Sequence, residues 1–133
     1  MNEVSIQEIG LEDDRFQSFY NSWQEEIENI FIGAERIHSE EFLAYILSID
    51  GKDIGIFVYR REDNFMEVLI DFVVPECRDQ GIGSEFYRRK ASYFRAKRVL
   101  YVRTSTNNQV HKDYLHELGF RQSVRKDLFQ LIL

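Results

Sequence analysis

The chain has 133 residues, 44% hydrophobic and 30% charged, with one cysteine, one proline and a net charge of −6. That length and balance describe one globular domain able to bury its own core, and exclude a disordered, collagen-like or disulfide-stapled chain. Cys77 alone makes neither an internal disulfide nor a cysteine metal cluster, the start Met1-Asn-Glu-Val-Ser lacks a signal-peptide pattern, and no run approaches eighteen apolar residues; the expectation is a cytoplasmic protein without metal and without a membrane partner.

In chain order, Glu3 to Ile9 alternates with Val4, Ile6 and Ile9 apolar, which predicts a first strand broken by Gly10. Residues 12–31 carry Phe16, Phe19, Tyr20, Trp23, Ile27 and Ile30 at three- and four-residue steps, the spacing of a helix with one buried face. The pattern fails over Ile32 to Glu40, a loop or short helix. Phe42 to Ile49 and Asp53 to Arg61 read as strands joined at Asp50-Gly51, a hairpin turn pair. Arg61 to Asn64 turns the chain into a long central strand, Phe65 to Val74. A helix runs from Gly81 to about Ala96, and Val99 to Thr104 is a short strand. Ser105 to Asn108 caps a helix through Leu118, closed by Gly119, and Leu128 to Leu133 is a last strand. This order predicts an α/β fold, a mixed central sheet with helices on both faces. The apolar tail Leu128 to Leu133 could pair at a sheet edge, so a homodimer is one expectation.

Charge is divided unevenly. Residues 1–66 carry 15 acids and 5 bases, whereas residues 67–133 carry 8 acids and 12 bases. The basic half suits a polyanionic ligand of limited size, while the acidic half would repel a long nucleic-acid backbone. Arg88, Arg89, Lys90, Arg95, Lys97 and Arg98 either face that ligand or solvate an outer helix face.

The basic half holds Asp71-Phe-Val-Val-Pro-Glu-Cys-Arg-Asp-Gln-Gly-Ile-Gly-Ser84. Val73 and Val74 suit a strand, and Pro75 ends its pairing because it has no N–H to donate. Gly81 and Gly83 have no Cβ, so ligand oxygens can reach the main chain where free amides converge at a helix start. A Walker loop needs Lys-Ser/Thr after its last glycine, where Ser84-Glu-Phe stands. A dinucleotide fingerprint needs a small residue where Phe86 stands.

The remaining pattern, Arg78-x-x-Gly81-x-Gly83 after Val-Val-Pro, resembles the pyrophosphate segment of the GNAT superfamily, the Gcn5-related N-acetyltransferases. A second place agrees in part. The family's helix-start Asn falls on Asn108 and its Gly-Phe on Gly119-Phe120, while its small residue falls on His111 and its Tyr on Leu115. The resemblance implies a mainly antiparallel sheet whose fourth and fifth strands splay into a cleft. It implies acetyl-coenzyme A as cosubstrate and an amine as acceptor. The amides of Arg78, Asp79, Gln80, Gly81, Ile82, Gly83 and Ser84 would hold pyrophosphate, with Asn108 steadying the same molecule and Arg78 contacting it or organising the loop. Main-chain atoms of Phe72, Val73 and Val74 would meet the thioester.

Acetyl transfer also needs a base for the amine and an acid for the departing thiolate. Tyr114, one step from the family's Tyr position, is the candidate acid, or else a buried aromatic. His111 is a candidate proton shuttle or a coenzyme contact. Asp71 and Glu67 are candidate bases, and simple alternation puts both on one side of the strand with Val73. A chain lacking the family's Tyr could instead bind an acyl-coenzyme A as a sensor without transfer. His111 and His116 lie five apart, diverging on a helix, which argues against a shared metal.

Overall fold

Short-range signals set the element ends. Asp50 and Gly51 both take positive φ, 52° and 78°, in the mirror-image turn that matches the twist of a hairpin. It joins β2 (Leu43–Ile49) to β3 (Lys52–Arg61). Asp13 caps α1 (Asp14–Ile30) by accepting from the Arg15 amide at 2.9 Å, and the helix leaves helical geometry once, at Trp23. Asn108 Oδ1 accepts from the His111 amide at 2.9 Å to start α3 (Gln109–Leu118), and Gly119, at φ 100°, ends it.

The computed structural model describes residues 3–38 and 41–133. Of the loop or short helix expected over 32–40, Ala34–His38 is a 3₁₀ turn, while Ser39, Glu40 and the His38 side chain lie outside the described residues. The connection after the central strand β4 (Phe65–Val73) is also a 3₁₀ turn, Pro75–Gln80. Pro75 sits at its first position, where φ is already set and the missing N–H costs nothing. Gly81, left-handed at φ 70°, ends that turn and opens α2 (Ile82–Ala96).

With β1 (Ser5–Ile9), β5 (Tyr101–Ser105), β6 (Arg121–Gln122) and β7 (Leu128–Ile132), the strands form one sheet in the order β1-β2-β3-β4-β5-β7-β6. Every pairing is antiparallel except β4 with β5, the two strands joined through α2. Phe19 and Trp23 of α1 lie against Phe72 on one face. On the other, Phe86, Tyr87 and Phe94 of α2 lie against Phe57 and Tyr59. Helices therefore cover both faces. Among the described residues, no helix is long and apolar enough to cross a membrane.

One irregularity matters for the site. Tyr59 pairs with Val68 and Val58 with Ile70, leaving Leu69 as the extra residue of a β-bulge in β4. The bulge reverses the alternation. Phe57 and Asp71 pair, as do Arg60 and Glu67. Phe57 and Arg60 lie on opposite faces of β3, so Asp71 and Glu67 face opposite ways. The expectation that they share one side is corrected for this reason.

Candidate functional site

β4 and β5 run side by side from Phe65–Tyr101 to Val68–Thr104, where Thr104 Oγ1 donates to the Val68 carbonyl at 3.1 Å. Beyond that stitch the bulge bends β4, and the strands part. Chain following α1 is tied to the far end of β5: Phe31 bridges Thr106, whose hydroxyl donates to the Ile30 carbonyl at 2.8 Å. Between them lies a cavity of about 480 Å³. β4 contributes Asp71, Phe72 and Val73, the following turn Arg78 and Asp79, and α2 Ile82 and Gly83. Asn108, Val110, His111, Asp113, Tyr114 and Glu117 come from α3 and its cap, and Ile30 and Phe31 from the end of α1.

The ladder decides which main-chain groups face this space. The Val74 amide donates to the Ile54 carbonyl at 2.8 Å, toward β3. Alternation then turns the amides of Val73 and Asp71 the other way, into the cleft. Of Phe72, Val73 and Val74, only Val73 presents its N–H there. Its carbonyl is occupied, because Arg78 Nε donates to it at 2.8 Å while the guanidinium lies 5.2 Å from the Phe72 ring centroid. Arg78 thus braces the end of β4. Burial lowers its pKa, but a guanidinium stays charged.

The start of α2 fits an anionic group. No side chain caps it, and a Cβ on Gly81 would meet nothing within 4 Å, so the first-turn amides are open to approach. Gly83 is different. A Cβ there would stand 1.7 Å from the Tyr114 hydroxyl, so this glycine makes room for a phenol of the protein itself. The cradle is open at Gly81 and covered at Gly83. The helix bases do not supply the charge: Arg88 and Arg89 engage Glu85, Arg89 also donates to the Val4 carbonyl, and Lys90 and Lys97 lie over Tyr93. Neither they nor Arg95 and Arg98 line the cavity, which favours the outer-face reading. Positive potential at the cavity comes from α2 amides and Arg78.

Asp71 is buried, and burial pushes its carboxyl up to about 7; the hydroxyls of Tyr87 and Tyr114 pull it back. Tyr87 donates to Asp71 Oδ2 at 3.4 Å. Burial and the adjacent Asp71 charge hold both phenols protonated at neutral pH. The Tyr114 oxygen lies close enough to Asp71 to act on it, but has no well-aligned hydrogen-bond partner and is shut off from solvent. Its neighbour Leu115 is fully buried in the core. His111 stacks edge-on against Phe31 at 4.8 Å, with Nε2 buried and unpartnered. Burial and the charge of Arg78 push it down to about 4, so it is neutral near pH 7, not poised to exchange a proton there.

The structure brings Asp71, Phe72, Val73, Arg78, Asp79, Ile82, Gly83, Asn108, His111 and Tyr114 to one cavity; Glu67, Val74, Gln80, Gly81 and Ser84 do not line it. Glu67 is instead held on the opposite face by Arg36, Arg60 and Arg103, at 3.2, 3.1 and 3.4 Å. Sequence reasoning missed Val110, Asp113 and Glu117, although a count of four back and three on from Tyr114 would have found Val110 and Glu117, and Asp113 lies three from the first and four from the second. Tyr87 and Phe31 had no such signal, since tertiary packing alone brings them to Asp71 and His111. Among the described residues, no group of His, Cys, Asp and Glu side chains is placed to hold a metal.

A family model described as the acetyltransferase (GNAT) family matches residues 9–120. No curated protein matches the sequence. Among solved structures, the chain is similar to Tetrahymena Gcn5, at 14% identity over 96% of this chain and 95% of that one, with a TM-score of 0.74. It is similar to the PaiA N-acetyltransferase of Thermoplasma acidophilum in complex with coenzyme A, at 15% identity, 98% and 99% coverage and TM-score 0.67. An IAA acetyltransferase from Bacillus cereus gives 17%, 96% and 97%, and 0.69. Identities this low make the likeness one of fold.

Proposed function

The chain belongs to the GNAT acetyltransferase family, and from that premise we propose that it moves an acetyl group from acetyl-coenzyme A to an amine by direct transfer in the cavity between β4 and β5. One observation carries the reading: a buried carboxyl with a pKa near neutrality, Asp71, shares that cavity with the outward amide of Val73 and the open first turn of α2. The coenzyme, when bound, supplies an acyl group activated as a thioester. The amides of Ile82, Gly83 and Ser84, with the positive end of the α2 dipole, hold its pyrophosphate. The Val73 amide donates to the carbonyl oxygen as negative charge develops there. Asp71 accepts the amine proton, a role that suits a group titrating near working pH. Tyr114 keeps its proton until the sulfur departs and can donate it. Asn108, whose Oδ1 is committed to the cap of α3, lines the wall opposite.

The test is thiol release from acetyl-coenzyme A with a panel of amines, alongside a thermal-shift measurement of binding. Amine-dependent release is the expected result. A second reading, binding of an acyl-coenzyme A without transfer, is favoured by Leu115 standing in the core where the family's tyrosine falls. A saturable thermal shift with no release on any amine would establish it, and no shift at all would sink both.

A further inference from the structure

We propose that a cavity beneath the last turn of α2 is a second binding site, one that takes a small organic monocarboxylate. Arg61 and Lys97 meet its charge, and its apolar body lies on Tyr59, Met66, Phe94 and Val99. The site is separate from the cleft between β4 and β5, because no described residue lines both cavities. The inference therefore does not depend on acetyl transfer.

The cavity, of about 480 Å³, has the size of a small-molecule site. It lies on the α2 face of the sheet, at the far end of that helix from its open first turn. β3 contributes Tyr59 and Arg61, β4 Met66, and α2 Phe94 and Lys97, with Glu8 of β1 at one side. The floor is apolar and fixed. Tyr59 lies edge-on to Phe94 at 5.9 Å, and Met66, Phe94 and Val99 are buried. Arg98 is left-handed at φ 67°, a conformation that a helix end usually gives to glycine. The Val99 amide then donates back to the Phe94 carbonyl at 3.0 Å, which tucks Val99 under the cavity. At the mouth, Leu43 and Tyr93 are 57% and 41% exposed, apolar surface that a ligand body would cover.

Charge selects the ligand. Arg15, Arg36, Arg60, Arg88, Arg89 and Arg103 each meet a carboxylate. Arg61 does not: its Nη2 donates to the Lys97 carbonyl, which pins the guanidinium to the end of α2. The Lys97 ammonium, 5.1 Å from the Tyr93 ring centroid, likewise meets no carboxylate among the described residues. Two like charges thus share one cavity above an apolar floor, and a carboxylate seated there satisfies both. Glu8 is the one acid lining the cavity among the described residues. It accepts from the Tyr45 hydroxyl at 3.4 Å and stands two strands from Arg61 across the sheet. It leaves the two bases to the ligand and repels a second negative charge, so the site favours a monoacid over a diacid. Burial holds the Tyr59 phenol protonated, and it adds no competing charge.

The test titrates the intact chain, with coenzyme A in excess, against three eight-carbon probes: octanoate, octylamine and suberate. Calorimetry reads affinity and methyl NMR reads position. Octanoate should bind saturably at a single site and shift the methyl signals of Leu43, Met66 and Val99. Octylamine and suberate should each bind roughly tenfold more weakly or worse, since one lacks the charge-assisted contacts and the other meets Glu8. Lys97→Glu, a change at an exposed position, should weaken octanoate by roughly tenfold or more, because attraction becomes repulsion. Arg61→Met should do the same, with thermal melts confirming that both variants fold. Glu8→Gln should bring suberate to within about threefold of octanoate by removing the like charge. Octanoate that partitions without saturating, or that binds only when coenzyme A is left out, would overturn the site. So would octylamine binding as tightly as octanoate, an unchanged affinity in Lys97→Glu, or suberate still excluded from Glu8→Gln.

Discussion

Replacing Asp71 by Asn should stabilise the protein at alkaline pH while removing its activity. The folded carboxyl titrates at about 7 against 3.8 when unfolded, so the folded chain holds this proton more tightly. The stabilisation is fully present below about pH 4 and is lost as pH rises through 7. The whole shift is worth about 4 kcal/mol, of which about 2–3 kcal/mol lies between pH 5 and pH 8. Asn keeps an acceptor for Tyr87 and does not ionise. The variant's stability relative to wild type should therefore rise by about 2–3 kcal/mol over that interval. Urea denaturation of both proteins at pH 5, 6.5 and 8 reads the difference directly. His111 does not confuse it, because it is present in both and cancels. Two unfolding curves that keep a constant separation across pH would refute the claim that Asp71 is buried and poised. Thiol release should meanwhile fall by roughly 10²–10⁴-fold, the range for losing a general base.

Gly83→Ala should destabilise by about 1–2 kcal/mol despite alanine's better helix propensity, because the new methyl would overlap the Tyr114 hydroxyl; Tyr114→Leu in the same chain should recover most of it, and additive losses in the thermal melts would contradict the contact. Glu67→Gln should leave kcat within about threefold and lower stability by about 1 kcal/mol, since its three arginine partners are partly exposed; a large loss of turnover would return Glu67 to the site. His111 has a folded pKa of about 4, below the usual 6.5, so its contribution to stability is present above 6.5 and lost as pH falls toward 4; His111→Gln should flatten that acid limb in unfolding experiments and leave the neutral limb of kcat/KM where it was. Arg78→Lys should weaken both binding and turnover although the charge is kept, because the bond to the Val73 carbonyl comes from Nε; unchanged kinetics would show that charge alone matters.

Signals carried by neighbouring residues were readable. Asp50-Gly51 turns the chain, Asn108 and Gly119 bound α3, and Gly81 opens α2 because each of these choices is made within four residues. The mixed sheet with helices on both faces followed from the order of such pieces. What could not be read depends on partners far along the chain. Nothing local marks Leu69 as surplus, since a bulge exists only relative to the pairing strand, and so counting by twos mis-set Glu67 against Asp71. Nor does the sequence disclose that Gly83 is bare for the sake of Tyr114, 31 positions later, or that the α2 bases are spent on Glu85 and Tyr93.

The surplus residue in β4 also separates two properties that a site needs together. Which way Asp71 faces is fixed by its match with Phe57 on β3, whereas the room in front of it comes from the bend at Leu69. Excising Leu69 would leave Val68 opposite Tyr59 and Ile70 opposite Val58, so every side chain would keep its orientation. A straightened β4 would simply continue alongside β5. Such a protein would own the right chemical groups in the right attitude, behind a seam that no ligand could enter.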